Sequence, residues 1–386
     1  MKRQLSRDAA HRAAQGGEGQ SSRIWVVVLA LTVLAMIAAA AAGIGPFWSG
    51  RHADSPKAVP EPSGTSSPQV RDDQGPIVVA ISVDGLNPDA LERFGREATP
   101  TFHRLIDEGA ATLNARTAFE ATITLPNHTG MLTGRTVAGP QGHDVTMNVD
   151  PGGTLADRHG SYVAGMFDVA HDHGRSTALL AQKEKFAFFT RSWDDEHGAE
   201  DHEGGDDGRD KVDIELVAED APVVKQLQEV LIGDEAELVF VHLRASDKAG
   251  HRHGWLGAEY LAAVRSVDHD LGQIVDLIEA SPDLTDRVTI VLTADHGGPE
   301  GSTSHDNPLL AANYRIPFIV WGNGVAAGTD LYALNPGRQD PGESRPDYSG
   351  RQPIRNLDLE STALGLLGLP ALEGTPSASW PALALR

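Results

Sequence analysis

The feature that most constrains the fold is a series of short, continuously apolar segments separated by helix-like stretches. The first such segment is Ile77–Val83, and similar ones follow at 237–243, Val288–Thr293 and 316–321. Strands without polar alternation are buried on both faces. The longest stretch between them, 259–280, has apolar residues at three- and four-residue steps, which indicates a helix. The pattern predicts an α/β fold with a mostly parallel sheet and helices on both faces.

Composition excludes several functions. The 386 residues contain 32 Lys and Arg against 54 Asp and Glu, a formal charge of −22, so a nucleic-acid-binding surface is not expected. The chain has no cysteine, which excludes disulfides and thiolate metal sites. It has 16 histidines, so any metal must be held by imidazoles and carboxylates.

The N-terminal region predicts a membrane anchor. Residues 1–23 form a basic tail, 24–45 an uncharged apolar stretch, and 46–75 a linker rich in Pro, Ser and Gly before a catalytic domain at 76–386. Twenty-two helical residues span roughly 33 Å, enough to cross a bilayer. We expect a single-pass cell-membrane protein with a cytoplasmic N-terminus and the catalytic domain outside. Secretion after signal cleavage is the alternative, because the small residues at 38–42 suit a signal peptidase.

Acidic and imidazole side chains follow the predicted strands. Ligands gather at the carboxyl ends of strands in open α/β sheets, so we expect these side chains to lie together. Taken singly, each could cap a helix or lie in a surface turn. Together, six ligands without sulfur suit two divalent ions, with zinc favoured. The six are Asp84, Asp247, His251, Asp295, His296 and His305.

A candidate nucleophile precedes a predicted short helix. Thr124 lies two residues before Pro126, and proline is favoured in the first helical turn. A hydroxyl at a helix N-terminus lies near free N–H groups that attract anions. An ordinary helix cap at Thr124 is the alternative reading.

Five motifs, in this order along residues 76–370, resemble the nucleotide pyrophosphatase/phosphodiesterase (type I phosphodiesterase) branch of the alkaline phosphatase superfamily. They are Asp84-Gly85, Thr124-Leu125-Pro126-Asn127-His128, D-K-A-G-H at 247–251, D-H-G at 295–297, and His305. The resemblance implies an alkaline-phosphatase-like fold and a metal-dependent hydrolase of phosphate esters, acting on a small anionic substrate.

The resemblance also implies a role for each matching residue. One zinc ion would be held by Asp247, His251 and His305. The other would be held by Asp84, Asp295, His296 and the hydroxyl of Thr124, which would be the nucleophile. Asn148 matches an asparagine that donates to a phosphoryl oxygen.

The substrate stays open in this reading. Nucleotide-cleaving relatives place an aromatic residue after the nucleophile, where this chain has Leu125. Lys183 and Lys185 are similar to the lysines that bind the substrate carboxylate in phosphonoacetate hydrolase, although two surface lysines would look the same. Phosphodiesterase, phosphomonoesterase and phosphonoacetate-hydrolase-like activities are therefore alternatives, as is an inactive surface-binding domain. The missing cysteine and the threonine argue against a sulfatase or a phosphoglycerate mutase. For the acidic segment 193–213, a solvated surface insertion is favoured over a calcium loop.

Overall fold

The computed structural model describes residues 74–201 and 208–386. The predicted basic tail, the predicted anchor and nearly all of the linker lie outside these residues, so their predictions stay open. Among the described residues, no helix combines the length and apolarity needed to cross a bilayer.

The described residues contain an eight-stranded sheet with the order β4-β3-β5-β1-β6-β7-β2-β8. Seven strands run in one direction, and β7 is antiparallel to both of its neighbours. The strands are β1 Ile77–Val83, β2 Ala110–Arg116, β3 Thr177–Ala181, β4 Ile214–Val217, β5 Leu238–Leu243, β6 Val288–Thr293, β7 Arg315–Gly322 and β8 Thr329–Asp330.

The mostly parallel sheet is as predicted, and β7 is the one described strand that runs in the opposite direction. A parallel neighbour needs a long crossover along one face of the sheet. The connection from β6 to β7 contains only the one-turn helix Ala311–Tyr314. The chain therefore re-enters the sheet from the edge where β6 ends, and it runs back.

Helices enclose this sheet. Every residue of β1, β5 and β6 is buried, and because alternate side chains point to opposite faces, both faces are covered. The helices are α1 Pro88–Phe94, α2 Pro100–Glu108, α3 Thr124–Thr133, α4 Leu155–His159, α5 Met166–His171, α6 Ala187–Ser192, α7 Val223–Gly233, α8 Ala245–His253, α9 Ala258–Ala280, α10 Pro282–Arg287, α11 Ala311–Tyr314, α12 Leu331–Leu334, α13 Asp358–Leu366 and α14 Pro376–Ser379.

The three central strands determine where the acidic residues meet. β5, β1 and β6 are adjacent and parallel, so the residues after them lie at one edge of the sheet. Gly85, directly after β1, has φ +70°, and a Cβ atom there would lie 3.0 Å from the Cα of Asp247. A glycine therefore lets helix α8 approach the end of β1.

The described ends of the acidic segment combine buried and exposed residues. Trp193 and Lys211 are fully buried and Asp201 is nearly so. The ammonium group of Lys211 lies 3.0 Å from an oxygen of Asp172. The described ends of the segment are thus part of the packed domain, because an aromatic ring and an ion pair fix them.

Candidate metal centre

Three carboxylates at the sheet edge share one arrangement. Asp84 Oδ2 accepts from Lys183 Nζ at 2.6 Å and from His242 Nε2 at 2.8 Å. Asp247 Oδ2 accepts from Lys183 Nζ at 2.6 Å. Asp295 Oδ1 accepts from two backbone N–H groups at 3.0 and 2.9 Å. The other oxygen of each carboxylate is buried and has no hydrogen-bond partner among the described residues.

Three imidazoles share a second arrangement. His251, His296 and His305 each place Nδ1 against a backbone carbonyl oxygen, at 2.9, 2.9 and 2.5 Å. A carbonyl only accepts, so Nδ1 carries the proton and the Nε2 of a neutral ring keeps its lone pair. Histidine ligands are commonly oriented in this way, by a hydrogen bond from the other ring nitrogen.

The Nε2 atoms of these imidazoles and the carboxylate oxygens without hydrogen-bond partners lie close together. His251 Nε2 lies 3.1 Å from His305 Nε2 and 3.3 Å from Asp247 Oδ1. His296 Nε2 lies 3.3 Å from Asp295 Oδ2 and 3.5 Å from Asp84 Oδ1. Lone pairs and carboxylate oxygens at these distances repel one another unless a cation lies between them.

These atoms form two overlapping groups. Within each group the candidate ligand atoms lie within 4.8 Å of one another. One group contains Asp247, His296 and His305, and the other contains Asp84, Asp295 and His296. The oxygen and nitrogen donors fit two divalent cations. Five of the six predicted ligands thus belong to these groups, with His296 in both, and His251 lies beside the first group, with Nε2 3.3 Å from Asp247 Oδ1.

Burial sets the proton affinity of these side chains. Burial lowers the pKa of His296 to about 4 and that of His305 to about 3, so both rings are neutral at pH 7. Burial and the nearby charge of Asp84 raise the pKa of Asp295 well above its usual value. Burial would also raise the pKa of Asp84, but the Lys183 ammonium and His242 hold it well below its usual value. Neutral imidazoles are the form that binds a metal.

The predicted nucleophile is the first residue of α3. Thr124 is 1% exposed, and Ile123 rather than Thr124 precedes the helix as its cap residue. His128 ties this turn to the sheet, because Nδ1 lies 2.8 Å from the carbonyl oxygen of Thr124 and Nε2 2.8 Å from Ser82 Oγ. The start of α3 is therefore held against the end of β1.

Asn148 lies against the same turn. Its Oδ1 accepts from the backbone N–H of Leu125 at 3.0 Å and from Lys185 Nζ at 3.1 Å. Both partners are donors, so the oxygen must face them and the amide Nδ2 is left to donate elsewhere. Asn148 also lines a cavity of about 530 Å³, together with Thr122 and Ile123.

Lys183 and Lys185, the two lysines predicted to bind the substrate carboxylate and called the substrate clamp below, differ in their surroundings. The side chain of Lys183 is 9% exposed and contacts Asp84 and Asp247, whereas Lys185 is half-buried beside Asn148. Leu125 is fully buried in the main apolar core. The substrate contacts predicted for Lys183, Lys185 and Leu125 stay predictions.

Sequence reasoning missed His242. It lies inside β5, one residue before the strand ends, and is fully buried with Nε2 on Asp84. A histidine inside an otherwise apolar strand was the available signal, because a buried imidazole needs a polar partner.

Comparison with known proteins identifies the family of this chain. The family profile described as type I phosphodiesterase / nucleotide pyrophosphatase matches residues 78–349. The solved structure of an inactive variant of murine ectonucleotide pyrophosphatase / phosphodiesterase 5, in complex with AMP, has a TM-score of 0.54 at 15% identity and covers 81% of this chain and 100% of its own. A sulfatase-like protein from Bacteroides fragilis has a TM-score of 0.51 at 17% identity and covers 78% of this chain and 76% of its own. These two likenesses concern the fold alone.

Two curated relatives are ethanolamine phosphate transferases, and the similarity covers only part of each chain. GPI ethanolamine phosphate transferase 1 of Gibberella zeae is 33% identical over 142 residues, which is 35% of this chain and 14% of the relative. That of Yarrowia lipolytica is 28% identical over 224 residues, which is 53% of this chain and 23% of the relative. This chain thus spans less than a quarter of the length of either relative.

The fold and the matching family profile define a class of proteins described as phosphodiesterases and nucleotide pyrophosphatases. The chain belongs to the type I phosphodiesterase / nucleotide pyrophosphatase family, within the alkaline phosphatase superfamily.

Proposed function

We propose that this protein is a hydrolase of phosphate esters with two zinc ions and Thr124 as its nucleophile. The observation that carries the proposal is the set of bare, buried oxygens of Asp84, Asp247 and Asp295, which face the lone pairs of neighbouring imidazoles. Burying polar atoms without partners costs free energy, and divalent cations are the groups that could bind these oxygens together with the imidazole nitrogens.

Each side chain has a proposed role. Asp247, His251 and His305 would hold one zinc ion, and Asp84, Asp295, His296 and Thr124 the other; His296 lies near both. When bound, zinc supplies Lewis acidity, which lowers the pKa of a coordinated hydroxyl and neutralises phosphoryl oxygens.

The chain itself performs a double displacement. Thr124 Oγ1 gives up its proton to solvent and attacks phosphorus, the bond from phosphorus to the leaving alcohol oxygen breaks, and that oxygen takes up a proton in exchange. Water then breaks the phosphothreonine bond, which releases the phosphate and restores the hydroxyl. The N-terminal end of α3 favours the developing negative charge on phosphoryl oxygens, and Asn148 Nδ2 would donate to one of them.

The anionic substrate would meet one accessible lysine. Lys185 lies beside Asn148, near the start of α3, and its half-buried ammonium is available to an anionic group. Burial and the charge of Lys183 lower the pKa of Lys185, so a bound anion would also favour its charged form.

A specific observation favours a second candidate, a diester whose alcohol carries a positive charge. The cavity beside Asn148 contains the carboxylates of Glu120 and Asp306 and no lysine or arginine among its lining residues. Such a cavity suits an ammonium group. The curated relatives are ethanolamine phosphate transferases, and ethanolamine is an alcohol of this kind.

We also propose that the domain acts outside the cytoplasm. The uncharged stretch 24–45 after a basic tail supports a single-pass anchor, with secretion after cleavage as the alternative. Protease accessibility of an epitope at each end of the full chain, in intact cells, distinguishes the two. An anchored protein sediments with membranes, and a cleaved one is found in the medium at lower mass.

The decisive experiment joins metal analysis to a substrate panel. We expect about two zinc equivalents per chain, and loss of activity with a chelator that zinc restores. The panel compares bis-p-nitrophenyl phosphate, p-nitrophenyl phosphate, an AMP ester, phosphonoacetate and p-nitrophenyl phosphorylcholine. Fastest turnover of the choline diester supports the second candidate, and Glu120→Gln should then raise KM for that substrate alone. A protein with no zinc and no turnover would contradict the proposal in favour of a binding domain.

A further inference from the structure

Lys183 joins the two halves of the metal centre. Its ammonium group lies 2.6 Å from Asp84 Oδ2 and 2.6 Å from Asp247 Oδ2. Asp84 belongs to one group of candidate ligands and Asp247 to the other. Within residues 74–201 and 208–386, no other lysine or arginine forms an ion pair with either carboxylate.

The lysine contacts one oxygen of each carboxylate and leaves the second oxygen bare. Asp84 Oδ1 and Asp247 Oδ1 are the atoms without partners, and both lie within 4 Å of Nε2 of His296. A metal ion bound there and the lysine would therefore use different oxygens, so the two can be present together.

Lys183 is itself held in place. It follows β3, which is parallel to β5, and its side chain is 9% exposed. The short 3-10 turn Glu184–Phe186 comes next, and the Phe186 ring packs 4.4 Å from that of His242, which bonds to the same Asp84 oxygen. A fixed backbone and a buried stem restrict where the ammonium group can go.

We propose that Lys183 is a positioning residue: it binds one oxygen of Asp84 and one of Asp247, so that each carboxylate is a monodentate metal ligand. By holding one carboxylate of each metal site, it also sets the distance between the two sites. This inference rests on the proposed metal sites. It assigns Lys183 a role different from the substrate clamp and leaves Lys185 as the accessible lysine.

The direction of the change in zinc affinity distinguishes a positioning role for Lys183 from a purely electrostatic one. Removing a positive charge beside a cation site would by itself strengthen zinc binding, because like charges repel. Removing an orienting contact weakens binding, typically by 10- to 100-fold for groups that orient metal ligands. Weaker zinc binding by a folded variant that lacks the ammonium group therefore indicates lost orientation.

The test measures zinc affinity by competition with a chelator in the full chain and its variants. We expect Lys183→Met to bind zinc about 10-fold or more weakly at both sites, and Lys183→Arg, which keeps charge and donors, to recover part of the loss. Lys248→Met is the matched control, because Lys248 follows Asp247 in the chain but pairs with Asp220 at 2.6 Å. Its zinc affinity should be unchanged.

Each outcome bears on one claim. Wild-type protein without two zinc equivalents overturns the proposed function. Wild-type protein with two equivalents, and Lys183→Met that binds as tightly or more tightly, overturns the positioning role alone. A raised KM for carboxylate substrates at unchanged zinc affinity would instead restore the substrate clamp. Thermal unfolding checks the fold; if Lys183→Met and Lys183→Gln both fail to fold while Lys248→Met folds, Lys183 is a structural counter-ion and the proposal is wrong.

Discussion

The position of Thr124 in α3 distinguishes its hydroxyl from those of the other threonines of the same helix. Thr129 and Thr133 lie on the same helix, but their hydroxyls donate to the backbone carbonyls one turn earlier, at 2.8 and 2.7 Å. Thr124, at the first helical position, has no preceding turn of α3 to bond to. Its hydroxyl therefore makes no such bond within α3, as the proposed nucleophile requires.

We expect Thr124→Ala to lower kcat by at least 1,000-fold, because loss of a covalent nucleophile removes most of the rate enhancement (roughly 10⁴–10⁶ in enzymes with such a group). Zinc content should stay close to two equivalents, since six other ligands remain. Thr133→Ala is the matched control and should keep kcat within a few-fold. Activity retained by Thr124→Ala would show that another group attacks phosphorus.

At the scale of elements, the junction of β1 and α8 sets the spacing of two carboxylates of the candidate metal centre. Asp247 lies in the first turn of α8, and its backbone N–H donates to the carbonyl oxygen of Asp84 at 3.1 Å. Gly85 supplies the left-handed turn that permits this contact. The spacing of Asp84 from Asp247 therefore depends on backbone packing as well as on side chains.

Gly85→Ala should destabilise the protein and weaken zinc binding. The left-handed conformation costs an alanine about 1–2 kcal/mol, and the new Cβ would press on Asp247 Cα at 3.0 Å. Gly95→Ala is the control, because Gly95 has φ +62° but no atom within 4 Å of the added Cβ. Denaturant unfolding and chelator competition should show the loss of zinc affinity only for Gly85→Ala. Equal zinc affinity in both variants would contradict the junction's role.

At the scale of the whole molecule, Glu360 is a buried acid away from the metal ligands. It lies on α13, is fully buried, and accepts from the backbone N–H of Leu372 at 3.1 Å and from Ser377 Oγ at 2.8 Å. Burial raises its pKa from 4.5 to about 7, so the folded state favours the neutral acid. The stability that this gives is present below pH 4.5 and is lost as the pH rises through 7.

We expect Glu360→Gln to remove that part of the pH dependence. Most of the effect of this shift, about 2 to 3 kcal/mol, falls between pH 5 and pH 8, so the variant should gain roughly that much unfolding free energy over wild type across this range. Urea unfolding at the two pH values measures it, and the exposed Glu373→Gln is the control. A constant difference between variant and wild type across this range would refute the assignment.

Several elements were predictable because their signals are local. The apolar runs predicted β1, β5, β6 and most of β7, and the three- and four-residue period predicted α9. The strands β2 and β4 were not identified, since Ala110–Arg116 and Ile214–Val217 contain polar residues at the sheet margins. The direction of β7 depends on where its connection runs, which local sequence does not encode.

The sequence by itself determined the identity of the six candidate ligands and of Thr124, because each follows a strand or opens a helix, and the rules that place such residues at one sheet edge are general. Only the tertiary structure decided which oxygen of Asp84 and Asp247 stays bare, that His242 supports Asp84, and that Lys183 lies between two carboxylates rather than in the solvent. The physical reason is distance. Lys183 is 99 residues from Asp84 and 64 from Asp247 along the chain, so their contact exists only once β3, β5 and β1 have packed side by side.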